Sequence, residues 1–147
     1  MTMLRGRDWT LLAIACAEGA PLTPVQLQKV LFLLGERQKK VVGSGFYHFR
    51  PYNYGPFSPD IYRDAETLES EGLVQIDRDA PQRTWALYRA TPEGLRWAQE
   101  LAATIPPVSS DYLRRLVEWA RSLSFHQLVS AVYRAYPTQR ARSIFID

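Results

Sequence analysis

A predicted helix that leads directly into a pair of strands is the feature that constrains this chain most strongly. Ser58 and Pro59 are typical of a helix N-cap and first turn, and the apolar spacing after them predicts a third helix with one buried face. Gly72 is the left-handed residue expected just past its end. Residues 74–77 and 85–88 alternate apolar and polar side chains, and this pattern predicts an antiparallel hairpin.

Helix signals also precede and follow this unit. Residues 8–18 predict the first helix, and Thr23 with Gln26 forms a capping box that starts the second. Residues 46–50 alternate and predict a short strand, a candidate third strand beside the hairpin. The later helices are predicted to start at Thr91, at Ser109 or Ser110, and at Ser124.

The predicted fold class is mainly α with a small antiparallel β-hairpin or sheet. Three helices, a hairpin and a further helix follow the order of a winged helix-turn-helix, so we predict a winged-helix-like core at about residues 7–105. Helices at about 109–137 and a short tail at 138–147 are predicted additions to this core. The chain has 147 residues, of which 46% are apolar, and we expect a single domain over residues 1–147.

Composition also bears on the compartment. The apolar runs are far shorter than the roughly 20 residues that a membrane-spanning helix needs. The first residues lack the apolar stretch of a signal peptide. Cys16 is the only cysteine, so no internal disulfide can form. We therefore expect a cytoplasmic protein without a membrane partner.

The stretch from Thr23 to Val74 resembles a known family. It joins the helical motif LQKVLFLL to an aromatic segment and then to PYNYGPFSPDIYRDAETLESEGLV. Lys29 and the tripeptide Tyr54-Gly55-Pro56 are its most specific positions. This third of the chain is similar to the Panacea-type (SocA-like) antitoxins and to their YwgA-type bacterial relatives. The resemblance implies a winged-helix-like antitoxin domain that neutralises an unrelated toxin encoded beside it.

The aromatic segment and the acidic third helix form the predicted protein-binding surface. Tyrosine and arginine are enriched among interface hot spots, and acidic side chains steer the approach of a basic partner. The same segment also fits a structural role, as a rigid corner at Gly55 and Pro56 that aims the third helix. The predicted partner-binding residues are Arg50, Tyr52, Tyr54, Phe57, Asp60, Asp64 and Glu71.

A winged-helix DNA-binding regulator is the alternative function. Its third helix would enter the major groove, but five acidic residues against Arg63 alone give this helix a net charge of −4, which phosphates repel. The loop between the strands is neutral, with Asp77 and Asp79 against Arg78 and Arg83. The alternative therefore needs basic residues elsewhere, with the third helix facing away or a homodimer partner offsetting its charge. The candidate nucleic-acid contacts are Arg37, Lys39, Lys40, Arg140 and Arg142.

No pattern in the sequence indicates catalysis. His48 and His126 lie on different predicted elements, and Cys16 is expected to be a small core residue of the first helix. A phosphate-binding glycine loop, metal-ligand spacing and a nucleophile motif are all missing from the sequence. We therefore predict a non-enzymatic binding protein without a cofactor or metal, and we expect its C-terminal tail to be solvated.

Overall fold

Helices make up most of this computed structural model, which describes residues 3–78 and 80–146. Two separate antiparallel sheets of two strands each lie between the helices. The predicted fold class, mainly α with a small antiparallel hairpin, is confirmed. The helices are α1 (Gly6–Ala15), α2 (Pro24–Arg37), α3 (Lys39–Val42), α4 (Asp60–Ser70), α5 (Pro92–Ala102), α6 (Pro107–Ser122) and α7 (Phe125–Ala135), followed by the 3-10 turn η1 (Pro137–Arg140). The strands are β1 (Arg50–Tyr52), β2 (Gly55–Phe57), β3 (Val74–Asp77) and β4 (Leu87–Ala90).

The second helix, α2, lies at the centre of the core. Every residue from Leu27 to Leu34 is buried, and α2 packs against α1, α6, α7 and β2. Its predicted start is confirmed, because the hydroxyl of Thr23 accepts a hydrogen bond from the backbone of Gln26 at 3.2 Å. The Gln26 side chain accepts one from the Thr23 backbone at 2.9 Å. Burial on all sides from Leu27 to Leu34 fits the LQKVLFLL motif, in which only Gln28 and Lys29 are polar.

The elements of the predicted core surround α1. This helix packs against α2, α4, α5 and β4. The order α1, α2, α4 and the β3–β4 hairpin is the order predicted, with α3 and the β1–β2 hairpin inserted before α4. The predicted third helix is thus α4, and it ends at Gly72, whose φ of +78° is the expected left-handed conformation. The winged-helix-like interpretation rests on this order and stays a prediction.

The predicted third strand beside the β3–β4 hairpin is wrong. The strand is Arg50–Tyr52, later than the predicted residues 46–50, and it pairs with Gly55–Phe57 in a hairpin of its own. Leu22 bridges Tyr88 instead, through two backbone hydrogen bonds of 2.8 and 2.9 Å. The first strand of the β3–β4 hairpin begins at Val74, as predicted, but β4 begins at Leu87, two residues later than predicted. Tyr88 and Ala90 supply the buried side chains of β4.

Two predicted helix starts are also wrong. The N-cap of α4 is Pro59, because the backbone N–H of Ser58 donates to the side chain of Gln28 at 2.9 Å and the Ser58 side chain makes no cap. The helix α6 begins at Pro107, with Pro106 as its N-cap, rather than after Ser109 or Ser110. Ser109 is buried inside α6 and donates its hydroxyl to the Gln38 side chain at 2.9 Å.

The C-terminal tail contacts the β1–β2 hairpin near its end, although most of its described residues are exposed, as expected of a solvated tail. The backbone N–H of Ile144 and the hydroxyl of Ser143 both donate to the carbonyl of Asn53, at 3.0 and 3.1 Å. The ring of Phe145 lies 6.2 Å from that of Phe125 on α7. Ile144 itself stays exposed, so the tail contributes hydrogen bonds and one ring rather than a full apolar face.

The start of α5 gives a test of this packing, since Gly94 lies directly against the backbone of Leu73. A Cβ at Gly94 would overlap the Leu73 carbonyl oxygen and lie 2.9 Å from its carbonyl carbon. We therefore expect Gly94→Ala to lower the free energy of unfolding by about 1–3 kcal/mol, the usual cost of overpacking. Urea unfolding followed by circular dichroism measures this difference.

Gly45→Ala is the matched control, because a Cβ at Gly45 meets no atom within 4 Å. Its free energy of unfolding is expected to change by about 0.5 kcal/mol at most. Equal stability of the two variants would show that α5 does not dock on Leu73 in this way.

Candidate functional site

A groove lies between the first turns of α2, the β1–β2 hairpin, residues 84–85 and the segment from Leu123 to Leu128. Its volume is about 730 Å³, within the size range of ligand-binding pockets. The start of α7 reaches the hairpin because α7 packs against β2 as well as α2. We call this site the aromatic groove.

Exposed aromatic side chains gather around the aromatic groove. Six aromatic side chains are exposed in the described part of the chain, and four of them line the groove: Tyr52, Tyr54, Trp85 and Phe125. The ring of Tyr52 stacks on Phe57 at 4.9 Å, and the ring of Tyr54 meets Phe125 edge-on at 5.1 Å. Clustered exposed apolar side chains are typical of binding surfaces, so this is the strongest candidate site.

Lys29 lines the inner end of the aromatic groove. Its side chain extends from the buried helix α2 toward β2, and only 4% of the residue is exposed. The Nζ amine donates to the carbonyl oxygen of Pro56 at 3.2 Å. Burial lowers the pKa of Lys29 from its ordinary value to about 7. The groove therefore combines an aromatic rim with one cationic donor below it.

The position of Gly55 explains why the corner is closely packed around this amine. Gly55 has a φ of +105°, which only glycine adopts at low cost, as the rigid-corner interpretation predicts. A Cβ there would lie 3.4 Å from Cε of Lys29 and 3.3 Å from Cε1 of Tyr133. The Tyr133 hydroxyl is buried and has no hydrogen-bond partner among the described residues. The backbone of β2 thus lies closely against both side chains.

The predicted acidic residues do not line the aromatic groove. Asp60 pairs with an arginine of its own helix at 2.7 Å, and Glu71 pairs with Arg7 of α1. Asp64 accepts a 2.5 Å hydrogen bond from the hydroxyl of Tyr47. The structure therefore separates the predicted surface into two parts, with the aromatic residues on the groove and the acidic residues bonded within the chain.

The predicted basic residues are distributed over three parts of the chain. Arg37, at the end of α2, donates to the hydroxyl of Tyr112 at 3.2 Å. The guanidinium of Arg140 lies over the ring of Tyr133, 5.0 Å from its centre. The remaining basic candidates are exposed: Lys39 and Lys40 on α3, Arg50 on β1, and Arg142 after η1.

Sequence reasoning missed three residues of the site. Trp85 lies in the range predicted as a strand, and Phe125 directly follows the predicted helix start at Ser124, and both are exposed on the groove. Lys29 was named only as a position of the family resemblance, although a lysine in a helical motif whose other residues, except Gln28, are apolar is a signal of its own. Cys16, predicted to be a core residue, is half-buried away from the groove.

Comparison with models of known protein families gives no match for this chain, and comparison with curated proteins gives none either. The resemblance to the Panacea-type antitoxins therefore stays a prediction.

Among residues 3–78 and 80–146, no helix has both the length and the apolar character needed to span a membrane. In the same part of the chain, no three side chains of the types His, Cys, Asp and Glu come together as a metal site.

The lowered pKa of Lys29 predicts a pH dependence of stability. Between about pH 7 and pH 10.5 the unfolded chain binds up to one proton more than the folded chain, because Lys29 is neutral only when folded. The free energy of unfolding should therefore gain about 1.4 kcal/mol per pH unit from this residue over that range. Urea unfolding of the wild type and of Lys29→Met measures this gain. We expect the free energy of unfolding of the wild type to increase relative to that of Lys29→Met from pH 7 to pH 10.

The Lys29→Met variant is the reference that isolates this effect. Burial raises the pKa of Cys16 to about 12, so Cys16 lowers the stability of both chains above pH 9 and cancels in the difference. A pH-independent difference would mean that the Lys29 amine is solvated in the folded chain.

The charges of α4 and the hairpin loop predict weak DNA binding. The carboxylates of α4 would face the phosphates, while Arg78 of the loop is bonded to Glu69 at 2.8 Å and Asp77 to Arg89 at 2.9 Å. Asp79, the other acidic residue of that loop, lies outside the described residues. We expect sequence-independent duplex binding that is lost near a salt concentration of about 150 mM. An electrophoretic shift assay measures this binding, with DNA from upstream of the gene that encodes the chain. Nanomolar, sequence-selective binding at that salt concentration would favour the DNA-binding alternative.

Proposed function

We propose that this chain is a non-enzymatic binding module that captures a partner protein in the aromatic groove. The observation that carries the proposal is the gathering of four exposed aromatic side chains around one groove. The resemblance of residues 23–74 to the Panacea-type antitoxins supports a toxin, encoded beside this chain, as the partner.

The chemistry of the rim suits protein capture. Tyrosine and tryptophan carry large apolar rings on few rotatable bonds, so ordering them at an interface costs little conformational entropy. Such side chains dominate the energy of most protein interfaces. In the aromatic groove they come from the β1–β2 hairpin, the loop before β4 and the start of α7. A partner segment in the groove would therefore contact several elements at once.

The site is also held in position before a partner arrives. The side chain of Gln28 donates to the carbonyl of Ser58 and accepts from its N–H, both at 2.9 Å, which fixes the end of the β1–β2 hairpin to α2. A site that is already ordered loses less entropy on binding. Less of the binding energy from the rim contacts is then used to order the site, and more of it contributes to affinity.

The acidic residues have a smaller part in this proposal than the sequence predicted. Asp64 holds the hydroxyl of Tyr47, and Thr10 shares that hydroxyl at 2.7 Å, so the carboxylate ties α4 to the rest of the core. A change at Asp64 would therefore alter folding as well as charge. The aromatic rim, whose rings reach the surface, is the better place to test capture.

Substitution of single rim residues tests the proposal directly. We expect Tyr52→Ala and Phe125→Ala each to weaken capture of the adjacent-gene product by about 5- to 150-fold, the effect of removing an aromatic hot spot. Co-purification of the two proteins identifies capture, and calorimetry gives the change in Kd. Rescue of cell growth during expression of the adjacent gene reports whether capture neutralises a toxin.

Trp97→Ala is the matched control for the loss of an exposed ring. Trp97 is 49% exposed, as is Tyr52, but it lies on α5 and does not line the aromatic groove. We expect this variant to bind as the wild type does. If Trp97→Ala loses capture while the two folded rim variants keep it, the interface lies on another face.

A further inference from the structure

The aromatic groove has one charged side chain in its lining, that of Lys29. The other lining residues are apolar, aromatic or neutral polar, and no carboxylate is among them. None of the ion pairs between described residues includes Lys29. The site thus has one amine that can carry positive charge, below a neutral aromatic rim.

The amine of Lys29 has unused hydrogen-bonding capacity. An ammonium group has three N–H donors, and in the described part of the chain only the carbonyl of Pro56 accepts from it, at 3.2 Å. A buried amine without an anionic partner becomes charged only at a cost in free energy, and this chain keeps such an amine beside an open groove. A carboxylate entering the groove would supply both the missing charge and the missing acceptor.

We propose that the partner segment bound in the aromatic groove carries a carboxylate flanked by apolar side chains, and that the Lys29 amine binds this carboxylate. The inference rests on the proposed function and names the chemistry of the segment that is captured. The carboxylate is placed at Lys29 because its charge complements that of the ammonium group. The flanking side chains are apolar because they would contact the aromatic rim.

An extended segment of a protein fits this arrangement better than a free acid. One carboxylate accounts only for the inner end of the groove, where Lys29 lies. Tyr52, Trp85 and Phe125 lie on separate elements around it, so the occupant must present apolar groups on more than one side. An extended peptide does so, because its successive side chains point in opposite directions.

The contact with Pro56 also gives Lys29 a structural role, since it ties α2 to β2. A purely structural lysine would become no easier to protonate when the groove is filled by a neutral segment, because that segment only removes water from the amine. A lysine that binds a carboxylate becomes easier to protonate, because the opposite charge stabilises its cationic form. The ionisation of Lys29 in the complex therefore separates the two roles.

Lysine-labelled protein makes this measurement possible without any substitution. The chain has three lysines, and Lys39 and Lys40 are exposed on α3, away from the groove, as internal references. The side-chain NMR signals of the three lysines are followed against pH, for the chain alone and bound to the adjacent-gene product. We expect the titration midpoint of Lys29 to rise by one pH unit or more in the complex.

A midpoint of Lys29 that stays unchanged or falls in the complex overturns the inference, because a neutral apolar occupant only removes water from the amine. In that case capture itself is intact and the proposed function stands. Failure to capture the adjacent-gene product refutes the proposed function instead, and the two failures are therefore distinct.

Two further measurements complete the test. We expect Lys29→Met, with folding checked by circular dichroism, to bind the partner at least tenfold more weakly, and unchanged affinity would contradict the carboxylate contact. The free acid 3-phenylpropanoate and its neutral amide are then added to the labelled chain alone. Micromolar binding of the acid, with a raised Lys29 midpoint, would reassign the groove to small carboxylic acids and overturn the peptide assignment.

Discussion

The paired hydrogen bonds between the Gln28 side chain and the Ser58 backbone are the interaction on which the rest of the structure depends. Gln28 is 2% exposed, so an unpaired amide at this position would leave buried polar atoms without partners. The pair fixes the point at which the chain leaves the β1–β2 hairpin and enters α4. It thereby sets the position of α4 against the core and the position of the hairpin beside α2.

The aromatic groove is a consequence of that attachment. Gln28 and Lys29 are adjacent on α2 and hold successive parts of one segment, at Ser58 and at Pro56. The hairpin is therefore fixed along its inner edge, while the rings of Tyr52 and Tyr54 remain at the surface. The free chain keeps a buried amine and exposed rings in one place. A complementary segment would give the amine a partner and remove the rings from contact with water.

Charge and aromatic surface are divided between different faces of the molecule. Asp64 and Glu69 of α4 bond to Tyr47 and Arg78, on other elements of the chain, and stabilise the packing of α4. The groove instead offers a single positive group, Lys29, to an occupant. Capture in this site would therefore favour a negative group at the point of deepest contact, whatever the charge of the whole partner.

The sequence by itself determined the features that depend on residues a few positions apart. Capping at Thr23 and Ser124 and the left-handed Gly72 were predicted correctly, because each forms within about one turn of helix. The start of α4 was not, since Gln28, thirty residues earlier, binds the backbone of Ser58. Only the tertiary structure decided the site: Phe125 joins Tyr54 in the groove because α7 packs on β2, a contact between distant segments that no local pattern encodes.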